Sequence, residues 1–549
     1  MPRFVMGRTT ADPGSQPGST KPAWRRIPVF LFLVLLLTGC AGEAPYDLIL
    51  KGGTIYDGSG GAPVVADIGI RADTLAAIGD LQGKAAERTI DVTGLAVAPG
   101  FIDLHVHLDP ILSHSDCQSH LRQGVTTSLG GPDGTSPWPF GSFLDSLEQL
   151  GVGMNVAYLI GHNTVRRNIM ELENRAPTAG ELEQMKTHVA QAMQEGAFGI
   201  STGLKYLPGS FSATEEVVAL SAVAAQAGGI YTSHLREEGL DIFHSVEEAI
   251  RISREAGIRV VLTHHKVIGK PMWGKSAQTL AMVDAAVEEG LDVRIDQYPY
   301  NASYTGISVL IPAWARAGGQ EAFLQRLDDP ITRDSIQRGI VFNILNDRGG
   351  EDLERIQFAK VSWMPELEGK TLAYWCRQRG LDPTPENGAF LVSEAQANGG
   401  ASCVFFAMDE SDVQRIMQHP LTMIASDGRL VWPGEGHPHP RWYGTFPRVL
   451  GHYVRDIKLL SLEEAIYKMT ALPARTLNLA DRGLLKPGMK ADITVFDPAT
   501  VKDLATFEAP HQYPEGIPYV LVNGQVAIDQ GRFMDLRAGQ VLRKPAGKE

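Results

Sequence analysis

Between residues 101 and 427 the chain carries eight apolar runs of strand length, separated by stretches of helical periodicity. They lie at 101–107, 125–129, 156–162, 198–204, 230–234, 260–264, 293–298 and 422–427. Strands that alternate with crossover helices pair in parallel, and eight such units close on themselves. The expected fold class is therefore α/β, a (β/α)8 barrel of the TIM type occupying residues 99–480. After the fourth run, Ser212-Ala-Thr-Glu215 predicts a capping box at a helix start. The interval 311–420 is too long for one crossover. It is expected to be an inserted subdomain with helices such as one over 321–327.

Outside the barrel, residues 41–98 and 481–549 contain short alternating runs broken by glycine, including Asp47-Leu-Ile-Leu, Ala66-Asp-Ile-Gly-Ile, Ala491-Asp-Ile-Thr-Val-Phe and Tyr519-Val-Leu-Val. These read as strands, so the two termini are expected to meet in a small β-sandwich. The first forty residues differ in kind. Lys21, Arg25 and Arg26 precede an apolar run too short to span a bilayer as a helix, and Leu37-Thr-Gly-Cys40 follows. That order reads as a signal peptide with a lipobox, which implies export, a lipid anchor on Cys40 and a periplasm-facing, membrane-tethered protein.

A net charge of −13 without a basic patch argues against a nucleic-acid partner. Beyond Cys40 the cysteines are Cys117, Cys376 and Cys403, whose spacing offers neither a disulfide framework nor a C-x-x-C knuckle.

The chemistry-bearing residues gather at the ends of the runs. His105 and His107 close the first, His234 the fifth, His264 the sixth and Asp427 the eighth. An H-x-H pair on a strand presents both imidazoles to one face. Fifteen histidines in 549 residues give roughly 0.4 such pairs by chance, so the pair alone carries little. Four imidazoles and a carboxylate at the carboxyl ends of barrel strands form a ligand ring suited to one or two Zn2+ ions.

The block Ala98-Pro-Gly-Phe-Ile-Asp-Leu-His-Val-His resembles the first barrel strand of the amidohydrolase superfamily. Gly161-His-Asn, Thr232-Ser-His-Leu-Arg-Glu-Glu-Gly239, His264-His-Lys266, Tyr298-Pro-Tyr300, Ser426-Asp-Gly428 and His439-Pro-Arg-Trp-Tyr-Gly-Thr-Phe-Pro-Arg448 narrow the resemblance to the N-acyl-D-amino-acid deacylase (D-aminoacylase) family. The resemblance covers about residues 46–540. It implies a zinc-dependent hydrolase acting on N-acyl-D-amino acids or related dipeptide-like amides, with Asp427 both a metal ligand and the proton-transferring group. It also selects His264 over the adjacent His265, and places the substrate carboxylate on Arg441, Lys266, Tyr206 and Tyr300. The aromatic loop around Trp138 either lines the acyl pocket or is plain packing.

One departure stands out. The family usually has a zinc-binding cysteine in a Gly-Asn-Cys-Gly turn, whereas this chain reads Gly131-Pro-Asp-Gly134. Asp133 is thus a candidate ligand. Lys205, at the end of the fourth run, is a candidate N6-carboxylysine bridging two metals, as in other amidohydrolases. A single-metal site with Lys205 as a plain cation is the third possibility. The competing functions are a cyclic-amide hydrolase of the dihydroorotase or hydantoinase kind and a barrel that binds without catalysis.

Overall fold

The computed structural model describes residues 45–545. Residues 1–44, on which the expected leader and its Cys40 fall, lie outside the described residues, and no described helix is long and apolar enough to cross a membrane.

Eight parallel strand positions form the barrel: Phe101–Asp103, Val125–Gly130, Asn155–Tyr158 with Ile160–Gly161, Gly199–Gly203, Ile230–His234, Arg259–Leu262, Val293–Gln297 and Thr422–Ile424. The ladder runs in chain order from the fourth position through to the eighth. The third position is split, Asn155–Tyr158 pairing with the second strand and Ile160–Gly161 with the fourth. The end of the chain lies along this split, where Val156 N donates to Gln540 O at 2.9 Å, Leu542 N to Val156 O at 2.7 Å and Lys544 N to Gly196 O at 3.0 Å.

The first run breaks where a continuous strand was expected. Phe101–Asp103 is followed by Leu104 and His105, and a separate Val106–His107 pairs in parallel with Gly428–Arg429. The interruption has a cause in Asp103, whose Oδ1 accepts from Ser426 N at 3.0 Å and from His105 N at 3.2 Å. A side chain thus joins the eighth strand to the first where backbone pairing lapses.

Strand residues alternate between two cores, as a period of two requires. Phe101, Val125, Val156, Ile200, Val260 and Ile295 pack in the large core that includes the surrounding helices. Ile102, Ala157, Ile230, Val261 and Met423 pack together with Leu472 and Ala474, from the helix Ala471–Thr476.

The termini share one nine-stranded sheet. Tyr46–Ile55 pairs with Val64–Arg71 on one side, while its other side passes from Ala86–Asp91 to Ala96–Pro99. The register shift between Leu50 and Gly53 accompanies this handover. Ile493–Phe496, Tyr519–Val522 and Gln525–Asp529 extend the sheet beyond Ala96–Pro99. Instead of two separately bonded layers, a single sheet encloses a core of Leu48, Leu50, Ile70, Leu75, Ile493 and Leu521.

Between the seventh and eighth strands, the inserted subdomain begins earlier than expected, with Ser303–Gly306 as the edge of a three-stranded antiparallel sheet completed by Ser402–Phe405 and Ile356–Lys360. Its helices, among them Gly319–Asp328, build a separate core around Phe323, Ile340, Phe358 and Trp375. The capping box predicted at Ser212 is not formed. The helix starts at Thr214 after an N-cap Ala213 without a side-chain bond, and Ser212 Oγ donates to Gly209 O at 2.6 Å. A neighbouring turn has captured the hydroxyl. Thr178 and Glu181 form a true capping box, on the preceding helix Ala179–Gln194.

Asp492, buried at the junction of sheet and barrel, accepts from Arg482 Nη1, from Asn155 Nδ2 at 3.1 Å and from Asn523 N at 2.7 Å. Removing the carboxylate leaves the buried Arg482 guanidinium to the neutral acceptors Asn523 Oδ1 at 3.1 Å and Gln540 Oε1 at 3.3 Å, and breaking a buried pair from one side costs about 3–5 kcal/mol. Asp492→Ala is therefore expected to lower the urea midpoint strongly, and Asp492→Asn, which keeps acceptor capacity, to lower it less.

Candidate metal centre

The carboxyl ends of the strands converge on Asp133. Its turn is set by close packing: Gly131 and Gly134 take positive φ values of 74° and 76°, and a Cβ on Gly134 would lie 2.3 Å from Asn163 Oδ1. Ser201 Oγ fastens both sides of the turn, donating to Gly131 O at 2.6 Å and accepting from Gly134 N at 3.1 Å. Asp133 itself is left-handed at φ 53°, as are His264 at 37° and Asp427 at 45°. Non-glycine residues in this region cost of order 1–3 kcal/mol each and persist only where their surroundings over-determine them. Three of them meet here.

Two groups of side chains could each hold a metal ion: His105, His107, Asp133 and Asp427, and Asp133, His234 and His264. Asp133 belongs to both. Its Oδ1 lies 3.4 Å from His105 Nε2 and 3.5 Å from His264 Nε2, and its Oδ2 lies 3.6 Å from His107 Nε2 and 3.5 Å from His234 Nδ1. Asp427 Oδ1 is 3.3 Å from His107 Nε2 and 3.6 Å from His105 Nε2. Both nitrogens of His105, Nε2 of His234 and Oδ1 of Asp133 are buried without any hydrogen-bond partner. Orphaned polar atoms at one point are costly, and a divalent cation is the group that satisfies imidazole and carboxylate lone pairs together. The residues present fit zinc.

The electrostatics agree. Burial would lower the His107 imidazole, yet the Asp133 and Asp427 carboxylates push it up to about 10. Burial and then Lys266 would lower His264, but Asp133 and Glu238 push it up to about 9. Burial alone would raise Asp427, but Arg441 first and then His105 hold it well below the carboxylate range. The centre thus calls for positive charge, supplied by protons or by a metal that displaces them.

Behind the ligand groups stand residues that sequence reading passed over. Glu238 Oε1 lies 3.2 Å from His264 Nδ1 and accepts from Lys266 Nζ at 2.5 Å. Asp296 Oδ1 accepts from His264 N at 2.6 Å and sits 3.9 Å from His105 Nδ1. Such outer partners fix ring orientation and tautomer. Glu238 was visible as the carboxylate four residues after His234; Asp296 was the lone acid of its strand. His265 faces away, its Nε2 2.8 Å from Thr279 Oγ1.

A cavity of about 510 Å³ opens over this centre, and among its lining are Tyr206, Lys266, Arg348, Arg429, Arg441 and Trp442. Arg441 Nη2 lies 3.0 Å from Asp427 Oδ2, while its buried Nε and Nη1 have no partner. Tyr206 lies with its ring 4.5 Å from that of His234 and its hydroxyl 3.1 Å from Thr305 Oγ1. Arg348 comes from the inserted subdomain, where no sequence pattern marked it.

Lys205, Tyr300 and Trp138 stand apart from the metal groups and the cavity wall. Lys205 does not approach the metal groups: its Nζ donates to Glu237 Oε2 at 2.6 Å and lies 3.4 Å from Asp347 Oδ2. Burial would lower its pKa, but Asp347 and Glu237 raise it, favouring the ammonium over the free amine that a carbamate requires. Tyr300 is absent from the cavity wall and packs edge-on to His439 and Phe507 under the Arg448 guanidinium. Trp138 lies against His188 at 4.5 Å, and Trp442 provides the indole of the cavity.

Residues 88–528 match the amidohydrolase family model. The chain belongs to the amidohydrolase family. Across 538 residues this amidohydrolase is 38% identical to the D-aminoacylase of Alcaligenes xylosoxydans xylosoxydans, covering 91% of this chain and 98% of that protein. The structure of N-acyl-D-glutamate deacylase from Bordetella bronchiseptica, complexed with zinc and a phosphonate mimic of the tetrahedral intermediate, matches at 36% identity with a TM-score of 0.78, covering 91% of this chain and 100% of that one. A D-aminoacylase structure described in terms of its binuclear metal centre matches at 38% identity and the same TM-score, again covering 91% of this chain and 100% of that one. The barrel and β-domain architecture is thus shared with these enzymes.

Asp133 is the carboxylate common to both groups, so Asp133→Ala should depress zinc per chain, measured by plasma mass spectrometry after gel filtration, well below that of Lys205→Met. Equal metal content in the two variants would contradict the placement of Asp133.

Proposed function

We propose that this amidohydrolase removes the acyl group from N-acyl-D-amino acids, with zinc held by His105, His107, Asp133 and Asp427 and by Asp133, His234 and His264. The observation that carries the reading is the pair of ligand groups joined through Asp133, with Arg441 on Asp427 and lining the same cavity of small-molecule size. The relatives named above support the substrate class and the D configuration.

Zinc, when bound, lowers the pKa of water towards ~7 and polarises an amide carbonyl. The remaining work belongs to the chain. Asp427 is ionised at neutral pH and accepts hydrogen bonds only, so it can take a proton from the attacking water and deliver it to the departing amine nitrogen. Arg441 holds one Asp427 oxygen with Nη2 and offers Nε and Nη1 to the carboxylate of the substrate. Tyr206 walls the cavity beside His234. Lys266, committed to Glu238, serves first to orient His264.

Asp427→Asn is expected to lower kcat on N-acetyl-D-leucine by about 10²–10⁴-fold, the usual contribution of a proton-transfer group, while the circular dichroism spectrum stays as in the parent. In a panel of N-acetyl-D-leucine, N-acetyl-L-leucine and a hydantoin, the zinc-loaded protein should turn over the D compound and lose that activity on chelation. Preferential turnover of the hydantoin would overturn the assignment.

We further infer export and a lipid tether at Cys40, from the charged, apolar and Leu-Thr-Gly-Cys succession in the sequence. In cells fed labelled palmitate the chain should take up label, and Cys40→Ser should abolish uptake.

A further inference from the structure

A second cavity, of about 350 Å³, adjoins the first, and Tyr304, Arg429 and Trp442 line both. Its charge is unlike that of its neighbour. In the catalytic cavity the inner cations are matched: Arg441 lies 3.0 Å from Asp427, Lys266 2.5 Å from Glu238 and Arg348 3.5 Å from Asp347. The second cavity shares the exposed Arg429 with its neighbour and adds the exposed Lys360, and neither has a carboxylate partner within ion-pair distance among the described residues. Its one lining carboxylate, Glu435, is turned to His114 Nε2 at 3.1 Å and to Trp432 N at 3.2 Å.

Both cations are anchored by sheets. Arg429 pairs through its backbone with His107, two residues beyond Asp427, and so keeps a fixed relation to the metal groups. Lys360 ends the strand Ile356–Lys360 of the inserted subdomain, in register with Ser402. Two unmatched positive charges at a concavity that adjoins the catalytic one favour an anion over water there.

We propose that this second cavity is an anion subsite that receives a second carboxylate of the substrate, making dianionic N-acyl amino acids the preferred class. The inference rests on the deacylase reading for the position of the scissile amide. The carboxylate can come from the acyl arm or from the amino-acid side chain, and the chemistry recognised is the same.

The test compares N-acetyl-D-leucine, N-succinyl-D-leucine and N-acetyl-D-glutamate on the zinc-loaded full chain. At least one dianion is expected to exceed the monoanion in kcat/KM by about tenfold, as one charge-assisted contact supplies, and that ratio to fall about fivefold in Lys360→Gln and return in Lys360→Arg. Whichever dianion responds identifies the source. Raising the salt to a level where the screening length shrinks to about 3 Å should narrow the ratio as the substitution does. Ratios unchanged by Lys360→Gln for both dianions would overturn the subsite. Should no compound be hydrolysed, the deacylase reading fails, while calorimetric affinities of the same three compounds for the parent and Lys360→Gln still decide the subsite by the same ratio.

Discussion

One carboxylate in a left-handed turn organises the centre. Asp133 lies within 3.4–3.6 Å of four imidazole nitrogens drawn from three strand positions, so it alone joins what would otherwise be two unrelated ligand groups. Four imidazoles crowded together repel once protonated and leave lone pairs unsatisfied when neutral. A shared anion eases both difficulties, since each group that includes it could hold a cation. The strained backbone at Asp133, His264 and Asp427 is tolerated because each residue is held from behind: the Asp133 turn by Ser201, His264 by Asp296 and Asp427 by Arg441.

The same logic explains the barrel's irregularities. Asp103 interrupts the first strand and replaces lost backbone pairing with its carboxylate, which frees His105 to turn inward while His107 continues on a separate two-residue ladder. A regular strand would have placed the two rings along one face. The observed break brings both Nε2 atoms within 3.6 Å of a single Asp427 oxygen.

Much of this was legible from the chain, because parallel strands buried on both faces read as apolar runs and because barrel chemistry collects at their ends. His105, His107, His234, His264 and Asp427 were found by that rule, and the Gly-Pro-Asp-Gly turn flagged Asp133 by its departure from a pattern. What escaped notice has a common character. Lys205 looked like a bridge because it ends a strand, but its fate was set by Glu237 and Asp347, the latter 142 residues away in the inserted subdomain. Arg348 reaches the cavity from that subdomain, where distance along the chain says nothing about distance in space. Tyr300 and Tyr206 are alike as residues, and only packing decides that one lines the cavity and the other backs His439. Ser212 shows the same limit locally, since its hydroxyl had two partners within reach and took the nearer turn.

The split third strand carries a consequence for how the molecule comes into being. Residues 540–544 bond to Val156 and Gly196, so the seam between the third and fourth barrel positions is stitched by a segment far removed from both in sequence. Closing that wall is a contact between distant stretches of one polypeptide, and the entropy of closing so long a loop must be met before the contact forms. Until residues 540–544 have docked, the wall between those two positions stays unsewn, however well each strand has formed by itself.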